Sequence, residues 1–125
     1  MGLFGKSRKE KEQEAAYFAR IGVPALLQQD FSMRIDAVFE TKDGVVVAGR
    51  AGAGACRVGE SALVCGPQGE LETKIGAIDL RTRERKPDGT LYATELAGVA
   101  LRGVRKEQVR PGDVLTVRNA GRHAQ

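Results

Sequence analysis

The chain has 125 residues, of which 42% are apolar, so it is long enough for one domain with one hydrophobic core. Its net charge of +4 permits polyanion binding without demanding it, and it contains no tryptophan and few aromatic residues. Two cysteines and one histidine cannot assemble a zinc site, and the absence of a signal peptide and of a run of about 18 apolar residues predicts a cytoplasmic protein without a membrane span, metal or cofactor.

The N-terminal segment, 1–30, is charged and differs in composition from the rest of the chain. Ser7 followed by Glu10 has the spacing of a helix capping box, and Gly22 is a stop signal. These features predict a short helix over 7–20 that is solvated at its front and weakly apolar at its end.

From Phe31 onward the apolar residues alternate, as is typical of strands with one buried face. Turn signals such as Asp43-Gly44 separate the short apolar runs, and no helical pattern lies between them. The pattern predicts an all-β fold, a closed antiparallel β-barrel over 31–118, and a flexible tail at 119–125. The expected strands cover 31–39, 45–49, 62–65, 72–80, 96–101 and 113–117.

The stretch Gly54–Ser61, GACRVGES, has the glycine and serine spacing of a phosphate-binding P-loop, G-x-x-x-x-G-K-[ST]. Glu60 stands where that motif needs a lysine, and a carboxylate there repels phosphates. An apolar strand follows, so no helix N-terminus faces a bound anion. We therefore interpret the stretch as two turns that lead into a strand, and we expect no GTP binding.

Several motifs stand in one order over residues 31–117 and resemble the second domain of elongation factor Tu and its translational GTPase relatives. They lie at Phe31–Ile35, Val38-Phe39, Gly44–Arg50, Val58-Gly59, Leu101–Gly103 and Gly112–Leu115. The resemblance implies a six- or seven-stranded barrel that acts as a non-catalytic binding module linked to translation. Its implied partners are RNA (tRNA or rRNA) or ribosomal and translation-factor proteins. Residues 1–30 are too few for the GTPase domain of that family.

In that family the barrel grips the acceptor end of aminoacyl-tRNA through basic side chains and a pocket for the terminal adenosine. Arg50 and Arg81 match two of the family's arginines, whereas Asp43 and Ala53 replace two others. Leu80 replaces an aromatic residue, which removes a base-stacking surface. These departures weaken the implied grip on phosphates and on the terminal base.

A basic cluster at 81–86 is the strongest candidate for a polyanion-binding patch, with a solvated hairpin of mixed charge as the alternative. Arg81, Arg83 and Arg85 stand at alternate positions, which would place them on one face of a strand. The predicted RNA-binding residues are Arg50, Lys74, Arg81, Arg83, Arg85 and Lys86.

A different hypothesis is a protein-interaction barrel that is unrelated to RNA. In it the N-terminal helix docks a partner through Tyr17, Phe18 and Ile21. An enzyme is a third hypothesis, but no His, Cys or carboxylate residues have catalytic spacing. Salt dependence distinguishes the RNA-binding hypothesis from the protein-interaction hypothesis, because RNA binding through arginines weakens steeply as the salt concentration rises.

Overall fold

The computed structural model describes residues 8–119. These residues form a helix, a helical turn, nine strands and a 3₁₀ turn. In chain order they are α1 (Arg8–Ile21), α2 (Val23–Leu26), β1 (Phe31–Arg34), β2 (Ala37–Thr41), β3 (Gly44–Ala53), β4 (Ala55–Arg57), β5 (Ser61–Gly66), β6 (Gly69–Leu80), β7 (Thr90–Tyr92), β8 (Leu96–Arg102), η1 (Lys106–Gln108) and β9 (Val114–Val117). None of the helices in this part of the chain is long and apolar enough to cross a membrane.

Six of the strands close into an antiparallel barrel in the order β1-β9-β5-β6-β8-β3, with β3 pairing back to β1. Strand β2 lies outside the barrel and pairs with β3, while β4 and β7 form a separate ribbon of two strands. The closed six-stranded barrel behind a short N-terminal helix confirms the predicted fold class. Closure leaves no free edge within the barrel itself.

Alternating residues of the barrel strands fill the core. On β3, Val45 and Val47 are buried, whereas Arg50 faces solvent. Since the chain has no tryptophan, aliphatic side chains with Phe31 and Met33 provide most of the core volume. Each large side chain buried in this way contributes about 1.5–3 kcal/mol.

The strand expected at 31–39 is two strands. The Ile35 N–H donates to the Asp113 carbonyl, and the Asp36 N–H donates to the Ala48 carbonyl, so the chain changes partner at this point. Strand β1 therefore pairs with β9 inside the barrel, whereas β2 continues along the outside of β3.

The strand expected at 45–49 is longer in the structure, because β3 runs for ten residues before it bends at Gly54. Gly49 lies where β1 approaches β3, and a Cβ atom there would collide with the Arg34 carbonyl oxygen. Strand β3 is therefore long enough to pair with β1 and β8 in the barrel and with β2 outside it.

The P-loop-like stretch is a turn, the short strand β4 and a second turn. Gly54 has a φ of +67°, and a Cβ atom at this position would collide with carbonyl oxygens of Gln29 and Asp30. The Arg57 N–H donates to Glu60 Oε1 at 2.6 Å and closes the second turn. The stretch leads into strand β5, as expected, although the sequence did not predict β4.

Parts of two expectations lie outside the described residues: Ser7 of the capping box, and 120–125 of the flexible tail. Asn119, the first residue of the expected tail, is buried, and its side-chain amide donates to the Ala55 carbonyl. The packed part of the chain therefore extends through this residue.

Candidate nucleic-acid interface

Helix α1 packs on the barrel beside the loop that joins β6 to β7. Tyr17 is only 5% exposed, and the Phe18 ring meets the Tyr92 ring edge-on with centroids 5.7 Å apart. Ile21 packs with the same apolar cluster. The barrel therefore buries Tyr17 and covers part of Phe18 and Ile21, the side chains that the interaction hypothesis assigned to an external partner.

A fully buried ion pair lies beneath α1. The side chains of Arg85 and Glu95 are 0% exposed and join through two hydrogen bonds, Nε to Oε2 at 2.6 Å and Nη2 to Oε1 at 2.8 Å. The Tyr17 hydroxyl also donates to Oε2 at 2.7 Å, and the Tyr92 N–H donates to Oε1 at 2.8 Å. Each of the two Glu95 carboxylate oxygens thus accepts two hydrogen bonds, which compensate for the burial of its charge.

The rest of the Arg85 guanidinium is also engaged. Nη2 donates to the Thr90 carbonyl at 2.6 Å and Nη1 donates to Asp88 Oδ1 at 3.0 Å. Burial by itself lowers the Arg85 pKa, but the hydrogen bonds and charges of Glu95 and Asp88 outweigh it, so the pKa is raised and the group stays charged. The prediction that Arg85 contacts RNA is therefore wrong, because its donors are used inside the protein.

Tyr17 joins the helix to this pair as a hydrogen-bond donor. Burial, followed by the hydrogen bond to Glu95, raises the Tyr17 pKa to about 12. The phenol therefore stays protonated over the whole physiological range and keeps donating to the carboxylate.

Two further contacts tie α1 to the loop after β6. The Lys86 N–H donates to Glu14 Oε2 at 2.8 Å, and Lys86 Nζ lies 3.1 Å from Glu10 Oε2. Arg20, in the last turn of the helix, pairs with Glu84. Lys86, one of the predicted RNA contacts, is thus bound to the helix while its side chain remains partly exposed.

A groove of about 370 Å³ opens between α1 and the barrel. Its lining includes three arginines, two glutamates (Glu84 and Glu95) and a leucine that is 42% exposed. We call it the arginine groove; it is defined by Arg20, Arg50, Arg81 and Leu96.

Strand register brings two of these arginines together. Arg50 on β3 is the Cα partner of Leu96 on β8, and the Leu96 carbonyl accepts a hydrogen bond from the Arg81 N–H at 2.9 Å. Arg50 Nη1 donates to the Thr94 carbonyl at 2.6 Å, and Arg81 Nη2 lies 2.8 Å from Asp79 Oδ2. A guanidinium has five N–H donors, so each keeps donors for a ligand.

The other predicted contacts lie elsewhere. Strand β6 ends at Leu80, so Arg81, Arg83 and Arg85 are not on one strand face, and that part of the prediction is wrong. Arg83 is exposed on the loop, while Lys74 lies on β6, six residues before Leu80.

Sequence reasoning missed Arg20, although its position one turn after Tyr17 on the same helix was a usable signal. Within residues 8–119, no three His, Cys, Asp or Glu side chains are grouped as metal ligands. The groove therefore combines three guanidinium groups, one of them paired with Glu84, with an exposed leucine, and it suits an anion that also carries a flat or apolar part.

No protein-family model matches the chain. Among solved structures it is similar to the crystal structure of translation elongation factor SelB from Methanococcus maripaludis in its apo form, with 29% sequence identity and a TM-score of 0.61. The match covers 71% of this chain and 18% of SelB, so the chain spans less than a fifth of that factor's length. Together with the closed six-stranded barrel, this likeness confirms the predicted resemblance to a translation-factor barrel of the elongation factor Tu second-domain type.

Proposed function

We propose that this translation-factor-like barrel is a non-catalytic cytoplasmic module that binds RNA (tRNA or rRNA) through the arginine groove. One observation carries the proposal: arginines from α1, from β3 and from the loop directly after β6 line one groove together with the exposed Leu96. Guanidinium groups bind phosphate through paired donors and stack on flat rings, so the groove suits a nucleotide better than a simple anion.

The likeness to an elongation factor supports a role near the translation apparatus. Sequence identity at this level extends the likeness beyond a shared fold, although SelB is a much longer protein. A barrel without a nucleotide motif acts by binding, and we propose no GTP binding or hydrolysis for these residues. Arg83 and Lys86, on the loop beside the groove, are proposed as further contacts at its rim.

The acidic neighbours of the groove limit its affinity. Asp79 pairs with Arg81 and Glu84 pairs with Arg20, so a phosphate shares these cations with exposed carboxylates. Exposed pairs of this kind contribute little to stability, about 0–1 kcal/mol, and a polyanion therefore competes with them at small cost.

The test is a fluorescence anisotropy titration of labelled tRNA and of an rRNA fragment with the full chain, at roughly 50 and 200 mM salt. Binding that weakens steeply with salt, and that Arg50→Gln and Arg81→Gln each reduce, supports the proposal. Arg8→Gln is the matched control, because Arg8 is an exposed cation at the other end of α1.

Equal losses for Arg8→Gln and Arg81→Gln would contradict the groove as the site and indicate diffuse attraction to a basic surface. No binding at the lower salt concentration would contradict the RNA proposal itself. A ribosomal or translation-factor protein would then be the partner class to test on the same two groove variants.

A further inference from the structure

The outer strand β2 presents an aromatic ring to solvent. Phe39 is 52% exposed, more than the other large hydrophobic side chains of residues 8–119. Its Cα partner on β3 is Val46, followed across the sheet by Ala100 on β8 and Ala77 on β6. This row carries no charge; Ala100 in it is buried, whereas Ala77 at its end is exposed.

Two cations stand beyond this row, towards the end of β8. Lys74 on β6 and Arg102 on β8 are direct Cα partners, and both are exposed. Within the described part of the chain neither forms a salt bridge. Like charges directly opposite each other destabilise a sheet, so a bound anion would relieve this pair.

A bulge in β6 fixes the position of Arg102. The register of β6 against β8 shifts between Ile75 and Ala77, and Gly76 stands at the shift. A Cβ atom at Gly76 would lie 2.9 Å from Arg102 Nε and 3.1 Å from its Cγ. The arginine side chain therefore lies against Gly76, two residues after Lys74 on β6.

The strand pairing places the ring and the two cations on the same side of the sheet, with Phe39 about 10 Å across it from Ala100. Ala100 and Arg102 stand at alternate positions of β8, so Arg102 lies about 7 Å further along that strand. Leu96 is six residues from Arg102 on the same strand, so the arginine groove lies about 20 Å away. A cationic track beside an exposed aromatic ring is the arrangement that binds single-stranded nucleic acid, because unpaired bases stack on the ring.

We propose that Phe39, Lys74 and Arg102 form a second contact point for single-stranded nucleic acid, in which a base stacks on Phe39 and the adjoining phosphate binds between the two cations. The inference rests on the proposed RNA-binding function for its ligand class, but on separate residues for its position. A duplex hides the faces of its bases and cannot use the ring in this way.

The chain contains no tryptophan, so Phe39→Trp supplies a sole indole reporter, excited selectively over the two tyrosines, and keeps a stacking ring. We expect a single-stranded oligouridine RNA to quench the introduced indole, and an RNA duplex to leave it nearly unchanged. In the same background Lys74→Gln should weaken binding and lower the slope of log K against log salt by about 0.7. Phe39→Ala should weaken binding roughly 5- to 150-fold, the equivalent of losing one stacked base.

Leu96→Trp is the matched reporter for the arginine groove, since Leu96 is also an exposed apolar side chain. Quenching of both reporters supports both sites. Quenching of the Leu96→Trp protein alone overturns this inference and leaves the proposed function standing. Quenching of the Phe39→Trp protein alone supports this site and contradicts the groove, and quenching of neither contradicts both.

Discussion

Arg85 and Glu95 face each other through two hydrogen bonds in a space that water does not reach, and helix α1 lies over them. Tyr17 extends the pair to the helix, so three segments of the chain meet at one carboxylate. The stability of the docked helix therefore depends on a buried ion pair.

Removing one partner of this pair should be costly. Glu95→Ala leaves the Arg85 charge buried without its main partner, and we expect a loss of about 3–5 kcal/mol in the free energy of unfolding. Urea denaturation followed by circular dichroism measures it. Glu72→Ala, at an exposed position on β6, should change stability by less than about 0.5 kcal/mol. Equal losses for the two variants would contradict the structural role of the pair.

The Tyr17 hydroxyl should make stability depend on alkaline pH. Its pKa of about 12 in the folded protein lies above the ordinary value of 10.0, so folding favours the protonated form. This contribution is complete below pH 10 and is lost as pH rises towards about 12. Compared at about pH 9 and about pH 11, the urea midpoint of the wild type should fall more than that of Tyr17→Phe. Parallel decreases in the two proteins would show that Tyr17 does not cause the effect.

Gly54 and Gly59 provide a matched pair of substitutions in the P-loop-like stretch. Both have positive φ, but a Cβ atom would collide with carbonyl oxygens at Gly54 and would have open space at Gly59. We expect Gly59→Ala to cost about 1–2 kcal/mol from backbone conformation, and Gly54→Ala to cost clearly more. Thermal unfolding measures both, and the reverse order would contradict the close approach of the chain at residue 54.

Arg20 should matter for binding rather than for stability. Arg20→Gln removes one wall cation of the arginine groove, so the slope of log K against log salt for RNA should fall by about 0.7–0.9. Its exposed pair with Glu84 contributes at most about 1 kcal/mol, and unfolding should change little. A large loss of stability with unchanged RNA affinity would assign Arg20 to helix docking instead.

Alternating apolar residues predicted the barrel well, because burial on one face of a strand leaves a period of two in the sequence. The break at Ile35 and Asp36 could not be predicted in this way. Apolar residues lie on both sides of the break, and both strands pair with β3; what separates them is that only β1 also pairs with β9.

The site was harder to predict than the fold. Arg81, Arg83 and Arg85 have strand spacing, yet the burial of Arg85 depends on Glu95, ten residues away, and on Tyr17, whose hydroxyl reaches that carboxylate across 78 positions. Contacts between residues so far apart in the chain leave no pattern in the sequence around Arg85. The arginine groove likewise depends on helix α1, and the period of two in the strands does not predict how that helix packs on the barrel.

The pairing of β1 with β9 also determines when the barrel can close as the protein folds. Phe31 is the partner of Val117, so the first barrel strand waits for the last one before the barrel can close. During synthesis the barrel therefore cannot close before β9 has left the ribosome. Such long-range closure is slow, in the range of milliseconds to seconds, and the nascent protein is exposed to aggregation during that interval.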